Sequence, residues 1–500
     1  MKRRARWLNR TRLKEVALFL LLLICYTYTL PRWADPNQNS RLDLVVAVVD
    51  QGALRIDDYV DNTVDYAKFE GHYYSDKAPG VAFAGIPIYA VLRAILSSLS
   101  VMDRLMVYLS NNEALAATLR EGGTGLLEQK VRFAMAQVAV TLATASLPSA
   151  LLGVLFHCIL AEFTTNERHR LLLTLIYALA TPAFAYAGAF YGHQLCAACL
   201  FGAFYLVFAK RHETISTRRL LTVGFALGYA IITEYPAVIV AGILFMYTLC
   251  YLADWKRIRW LIVGGIPPGA LAAAYNYAIY HTPLPVGYNY SELWAEQHHT
   301  GFMSLTFPRW ETIWGLTLGP FRGLFFLSPV LLLAIPGFVA WWRSREHRSE
   351  FAVAVSSVLG FFLFNSSSIM WWGGFSIGPR YLVPILPFLA LPIIFFLRRW
   401  GSQGWSKALL WLFGLWSLIA VWGLTLAEQA YPPETLRVPL VEYAWPNWQT
   451  GNIARNLGMF LHLPGIVSLL PLLVSVTVLL VALWFLSREE QVPVTESRSV

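Results

Sequence analysis

Long apolar runs separated by short polar stretches dominate this chain, and the runs have membrane length. After a first run at 16–30, others fall at 131–160, 171–188, 194–209, 219–235, 237–252, 260–280, 323–341, 351–369, 381–397, 408–427 and 466–486. Each is near the ~20 residues that a helix needs to cross a bilayer. The pattern predicts an all-α polytopic membrane protein of about twelve transmembrane helices. Pro148, inside the long run at 131–160, predicts a tilt or kink there. Two segments of the first polar stretch read as interfacial helices: 41–51 has helical spacing, and 80–99 is apolar enough to lie in the headgroup region.

Composition agrees with that class. Of 500 residues 57% are apolar and 14% charged, and mean hydropathy is +0.51. No soluble domain needs so much apolar surface. The 19 Trp and 24 Tyr suit aromatic belts at two interfaces. All five cysteines lie within apolar runs, which argues against an external disulfide framework. Cys196 and Cys199 have CxxC spacing, but at lipid depth they read as packing residues.

Placing the charges sets the topology. Seven Lys/Arg precede the first run, and no small-residue cleavage site follows it, so it reads as a retained first helix. The basic loops 210–219, 254–259, 341–348 and 398–407 all fall on the side of that N-terminus. The segments on this side hold 24 Lys/Arg against 10 Asp/Glu; the rest of the chain holds 15 against 20. The positive-inside rule therefore puts both termini in the cytoplasm. It leaves 31–130, 281–322 and 428–465 outside. A crossing at 80–99 would expel the four basic loops, so this segment is read as interfacial, with Arg93 toward the headgroups. The net charge of +9 is thus a topology signal and not a nucleic-acid surface. The expected organisation is a membrane module at 1–300 that includes the outer loop 31–130. Further transmembrane helices follow at 301–487, with an outer loop at 428–465, and a cytoplasmic tail at 488–500.

The first outer loop carries the chemistry. Between 31 and 80 it gathers carboxylates, arginines, a histidine and paired tyrosines, and it ends in Tyr74-Ser75-Asp76-Lys77-Ala78-Pro79-Gly80. A lysine at headgroup depth can hold a phosphate oxyanion; snorkelling to a lipid is the bland alternative. Arg322 in Gly-Pro-Phe-Arg-Gly and Arg380 in Gly-Pro-Arg-Tyr both sit where a helix begins on the outer side. A helix N-terminus disfavours a cation, so each arginine there calls for an anionic partner. Glu234 lies at the outer end of an apolar run, where an ionisable group is a functional candidate. His193 starts another helix, and His72 sits beside Tyr73 and Tyr74. A solvated acidic loop and ordinary packed histidines are the structural alternatives.

This order of features resembles the type C glycosyltransferases. The marks are an outer first loop, the Tyr-x-Asp-Lys-x-Pro element at 74–79 and an apolar interfacial helix. Thr181-Pro182, an outer turn at His193, Asn276-Tyr277 and Gly378-Pro379-Arg380-Tyr381 follow. Within that superfamily it is similar to the group of protein O-mannosyltransferases and the lipid A aminoarabinose transferase. The resemblance implies transfer of a sugar from a polyprenyl-phosphate donor to an extracytoplasmic lipid, glycan or protein acceptor, at the outer face of a plasma (inner) membrane. Two positions depart from the family pattern. Asn37-Gln38-Asn39-Ser40-Arg41 stands where an acidic motif is usual, and His193 stands where an aspartate is usual.

The chemistry needs a base for the acceptor's proton and cations for the charge that develops on the leaving phosphate. The expected assignments are Asp65 or Asp76 as base and Lys77, Arg380 and Arg322 on phosphate. Asn37, Arg41, His72, Tyr74, His193 and Glu234 would line the substrate. No cofactor is implied with certainty. A divalent metal held by His72, His193 and a carboxylate is an alternative without supporting ligand spacing. Two other classes stay open. A transporter or flippase of lipid-linked saccharides would want mid-membrane polar residues and internal repeats, and neither is visible. A non-catalytic assembly subunit of the same fold would fit the altered acidic motif.

Overall fold

The computed structural model describes residues 2–33, 35–97, 99–119, 122–123, 125–293, 295–301 and 304–488. The predicted tail at 488–500 therefore lies, beyond Arg488, outside the described residues. The described residues are mainly helical, with a single two-stranded sheet among them. The chain begins with α1 (Lys2–Thr27), which packs against the last helix, Leu470–Arg488, and against Leu147–Leu160. The first loop then folds on top of the helices through α2 (Pro36–Gln51) and α3 (Gly80–Leu96). Of the helices further along, those that bear on the sites are α4 (Gly192–Phe208), α5 (Thr217–Thr233), α6 (Ile258–Tyr280), α7 (Ala334–Ser344) and α8 (Ile393–Trp400). One large apolar cluster runs through both the 1–300 and the 301–487 segments. A smaller one, with Leu42, Val45, Val81, Ala82 and Tyr275, lies beneath the first loop.

Among the described residues, five helical stretches are long and apolar enough to cross a membrane. They are Glu128–Leu160, Arg348–Ser367, Arg380–Trp400, Gly404–Leu426 and Gly465–Ser487. The twelve predicted crossings thus do not all appear as single unbroken helices. The run at 171–188 stops at Leu179, before Thr181-Pro182, and resumes as the short helix Ala183–Ala187. The run at 323–341 divides at Pro329 into short pieces before α7. Proline removes an N–H and crowds the preceding turn, so apolar length overstates helix continuity at these sites. Pro148 acts more gently: a π-helical turn, Leu142–Ser146, takes up its misfit within Glu128–Leu160.

The segment at 80–99 gives α3, followed by a helix at Val101–Ser110 turned by 89°. Arg93, expected to face the headgroups, is half exposed and is also tied to α2. Its Nε lies 2.8 Å from Asp50 Oδ1, and its Nη1 donates to the Val49 carbonyl, so it ties α3 to the end of α2. Helix α2 starts five residues before the predicted 41–51. Asp35 caps it by accepting from the Gln38 N–H at 3.1 Å, and Pro36 fits its first turn.

The first loop also contains a two-stranded hairpin that the apolar pattern does not predict: β1 (Ala67–Phe69) and β2 (His72–Tyr74). Glu70 and Gly71 both have positive φ, 49° and 83°. This is the two-residue turn whose twist matches paired strands, and Gly71 makes it accessible. Ala67 pairs with Tyr74, and continuing that register sets Asp65 opposite Asp76.

Candidate functional site

The hairpin register builds the centre of the site. Lys77 Nζ lies 2.6 Å from Asp65 Oδ1 and 2.9 Å from Asp76 Oδ1, and all three side chains are buried. Two buried carboxylates facing each other repel, and the lysine between them makes the arrangement stable. Burial disfavours the Lys77 ammonium, yet the two carboxylates outweigh it and raise its pKa above the ordinary value. Burial works against the Asp65 charge as well, but Lys77 holds this carboxyl below the usual range. Asp76 moves the other way: burial and then the Asp65 charge raise it, with Lys77 only partly offsetting them. The environment thus pushes two neighbouring carboxylates apart in proton affinity, an arrangement suited to acid–base work.

A polar network leads from this centre into the helices. The Asn37 amide donates to Asp65 at 3.4 Å, and Arg41 donates to both the carbonyl and the side chain of Asn37. Residues 37 and 41 are one helical turn apart on α2, so one face of that helix presents both. Arg41 lies 3.8 Å from Glu234, and Glu234 lies 3.1 Å from Nδ1 of His193. Glu234 follows the last residue of α5, and His193 is in the first turn of α4. Gly192 allows this meeting, because a Cβ there would sit 2.5 Å from Glu234 Oε1. The predicted Asn37, Arg41, Asp65, Asp76, Lys77, His193 and Glu234 therefore come together.

Arg380 closes the network from the C-terminal half. Its Nη1 donates to the Tyr191 hydroxyl and its Nη2 to the Tyr381 hydroxyl, each at 3.3 Å. Its guanidinium lies over both rings. Tyr191 in turn donates to Asp35 at 2.6 Å. Arg380 is 8% exposed, yet among the described residues no carboxylate lies within ion-pair distance of it. Gly373 leaves room for it: its φ is +73°, and a Cβ there would stand 2.9 Å from Arg380 Nε. Gly373→Ala is expected to cost about 1–2 kcal/mol through the left-handed backbone alone. It should also displace the guanidinium, which is checked by chemical denaturation together with the apparent affinity for a phosphate ligand.

Three predicted residues sit elsewhere. Arg322 is buried, but its guanidinium donates to the carbonyls of Ser376 (2.5 Å), Gly374 (2.9 Å) and Pro432 (3.2 Å). It braces the loop that carries Gly373, so the anionic partner expected for it is replaced by backbone. His72 lies on the exposed side of the hairpin with Nδ1 2.7 Å from Asp57. Tyr74 is half-buried and packs against Tyr280. Among the described residues no group of three or more His, Cys, Asp or Glu is arranged to hold a metal ion. The sequence reading missed Tyr191 and the roles of Gln38, whose side chain accepts from the Phe190 N–H, and of Ser40, 3.0 Å from Ser75. Nothing local in the sequence marks Tyr191. Asp35-Pro36 is a helix-start signal that the reading of a helix at 41–51 passed over.

Asp43, on the same helix as Arg41, gives a pH test of how dry this region is. Its Oδ1 accepts from Asn62 at 3.1 Å, while Oδ2 has no partner among the described residues. Burial pushes its pKa up to about 8, with Asn62 only partly opposing. The folded chain therefore holds a proton that the unfolded chain has released above about pH 4. Stability contributed by that proton falls as pH rises from about 4 to 8 and is gone above it. Thermal unfolding from pH 5 to 8 should show this decline in the wild type and much less of it in Asp43→Asn. The gap should amount to at most a few kcal/mol, on the order expected for such a shift.

No model of a protein family matches the chain, and no curated protein does. Solved structures do match. ArnT from Cupriavidus metallidurans bound to undecaprenyl phosphate is similar with a TM-score of 0.50 at 16% identity, over 95% of this chain and 75% of that one. The apo structure of the same protein gives 0.48 at 17%, over 97% and 76%. The chain is thus similar in fold to that solved protein.

Proposed function

We propose that this protein is a membrane glycosyltransferase that moves a sugar from a polyprenyl-phosphate donor to an extracytoplasmic acceptor, at the outer face of an inner membrane. The observation that carries this reading is Arg380, a buried arginine held by two tyrosine hydroxyls, with Asp35, Asp65 and Glu234 near enough to feel its charge but no carboxylate at ion-pair distance among the described residues, at the edge of the network around Lys77. Desolvating a guanidinium is costly unless an anion meets it, and a phosphate diester is the anion such a donor brings. The similar fold of an ArnT that binds undecaprenyl phosphate supports the same ligand class.

In this reading the acceptor hydroxyl gives its proton to Asp76, the carboxylate with the higher proton affinity, while Asp65 keeps Lys77 in place. The acceptor oxygen attacks the anomeric carbon, and the bond from that carbon to the phosphate oxygen breaks with its electron pair on phosphate. The anomeric configuration inverts. Proton uptake neutralises Asp76, so Lys77 gains uncompensated positive charge as the phosphate gains negative charge. Arg380 holds that phosphate, and Arg41, Asn37, Glu234 and His193 line the sugar or acceptor. The catalytic module is 1–300, with Arg380 supplied from 301–487, and about twelve crossings with both termini inside complete the topology.

Purified protein reconstituted with a polyprenyl-phosphate sugar tests this. Transfer to an acceptor supports the enzyme. Flipping of the donor without transfer would make it a transporter, and binding alone would make it an assembly subunit.

A further inference from the structure

We infer a second anion site, independent of the glycosyl-transfer reading: a cleft between α7 and α8 that holds the phosphate headgroup of an anionic membrane lipid. The two helices run side by side. A Cβ at Gly337 would lie 2.3 Å from the Pro392 carbonyl, and Trp341 stacks on Phe395 with ring centroids 4.6 Å apart. Beyond that contact they leave a cleft of about 340 Å³ lined by Val339, Ala340, Arg343, Arg398, Arg399 and Trp400, among others. It lies at the far end of the helical stretch Arg380–Trp400, away from the candidate site.

Three arginines meet one carboxylate here. Both Nη atoms of Arg398 are taken by Glu346, at 2.7 and 3.2 Å. Arg343 and Arg399 are exposed and make no ion pair among the described residues. Each arginine sits in the last turn of its helix, where the dipole favours a cation. That explains cations at each helix end but not the shared cleft. A lipid is favoured over a free phosphate by what adjoins the charges. Ile335, Val339 and Trp342 are exposed by 58%, 44% and 66% and fall on one face of α7, forming an apolar stripe that ends at Arg343. An acyl chain fits the stripe and its phosphate fits the arginines.

The test uses full-length protein in detergent, titrated separately with phosphatidylglycerol, phosphatidylcholine and soluble glycerol 3-phosphate. Thermal unfolding and lipid retention in native mass spectrometry are the readouts. Phosphatidylglycerol should raise Tm and be retained, and the other two should do neither. Arg343→Ala/Arg399→Ala should unfold at the wild-type temperature without lipid and bind phosphatidylglycerol roughly tenfold more weakly or worse. Arg343→Lys/Arg399→Lys should keep most of the affinity. An alanine variant that responds to phosphatidylglycerol like the wild type, or an equal response to glycerol 3-phosphate, overturns the inference.

Discussion

Lys77→Met is expected to abolish transfer and also to weaken the fold. A lysine at an open interface would contribute little to stability, but this one is buried between Asp65 and Asp76. Removing it leaves two facing carboxylates without their ion-pair partner, a change that costs about 3–5 kcal/mol when a buried ion pair is broken. Protonation of Asp76, already favoured by burial, should relieve part of that cost at low pH. The double variant Lys77→Met/Asp76→Asn separates the two effects. It removes the repulsion, so much of the stability should return, while transfer stays at least ~10²-fold down because the cation for the leaving phosphate is still missing. Denaturation and single-turnover transfer on both variants check this. Recovery of transfer along with stability would show that Lys77 is structural only.

Arg380→Lys should impair transfer by roughly 10²-fold with little loss of stability. The guanidinium reaches two tyrosine hydroxyls, one from each Nη, at 3.3 Å each. An ammonium is a point charge on a flexible stem and cannot reach both hydroxyls while presenting a fork to a phosphate. The loss should appear in donor affinity as well as in rate, because the same contact exists before and during bond cleavage. Donor affinity equal to that of the wild type would return Arg380 to a packing role.

Much of the site was legible before the fold. The element from Tyr74 to Gly80 marked Lys77 and Asp76, and Asn37 and Arg41 were expected to line the substrate, although the helix that carries both was read as beginning only at 41. The lysine's environment was not legible, because it depends on a hairpin. Asp65 comes opposite Asp76 only once Glu70 and Gly71 turn the chain, and an acidic loop read as solvated hides that register. The two-residue Glu-Gly turn between aromatic residues was the available signal. Arg322 and Arg380 both follow a Gly-Pro pair yet differ in partners. One is wrapped by carbonyls of the loop 374–376 and Pro432, and the other faces Tyr191 from a distant helix start. Such long-range packing leaves no trace in local sequence. Helix continuity was misread for a simpler reason: apolar length predicts burial in lipid, while Pro182 and Pro329 decide where the helix breaks.

A structure of this protein with a polyprenyl phosphate bound is the most direct measurement. The phosphate should sit within hydrogen-bond distance of the Arg380 guanidinium, with Lys77 the next nearest cation. A phosphate seated away from both, with Arg380 still engaged only by Tyr191 and Tyr381, would contradict the proposed chemistry.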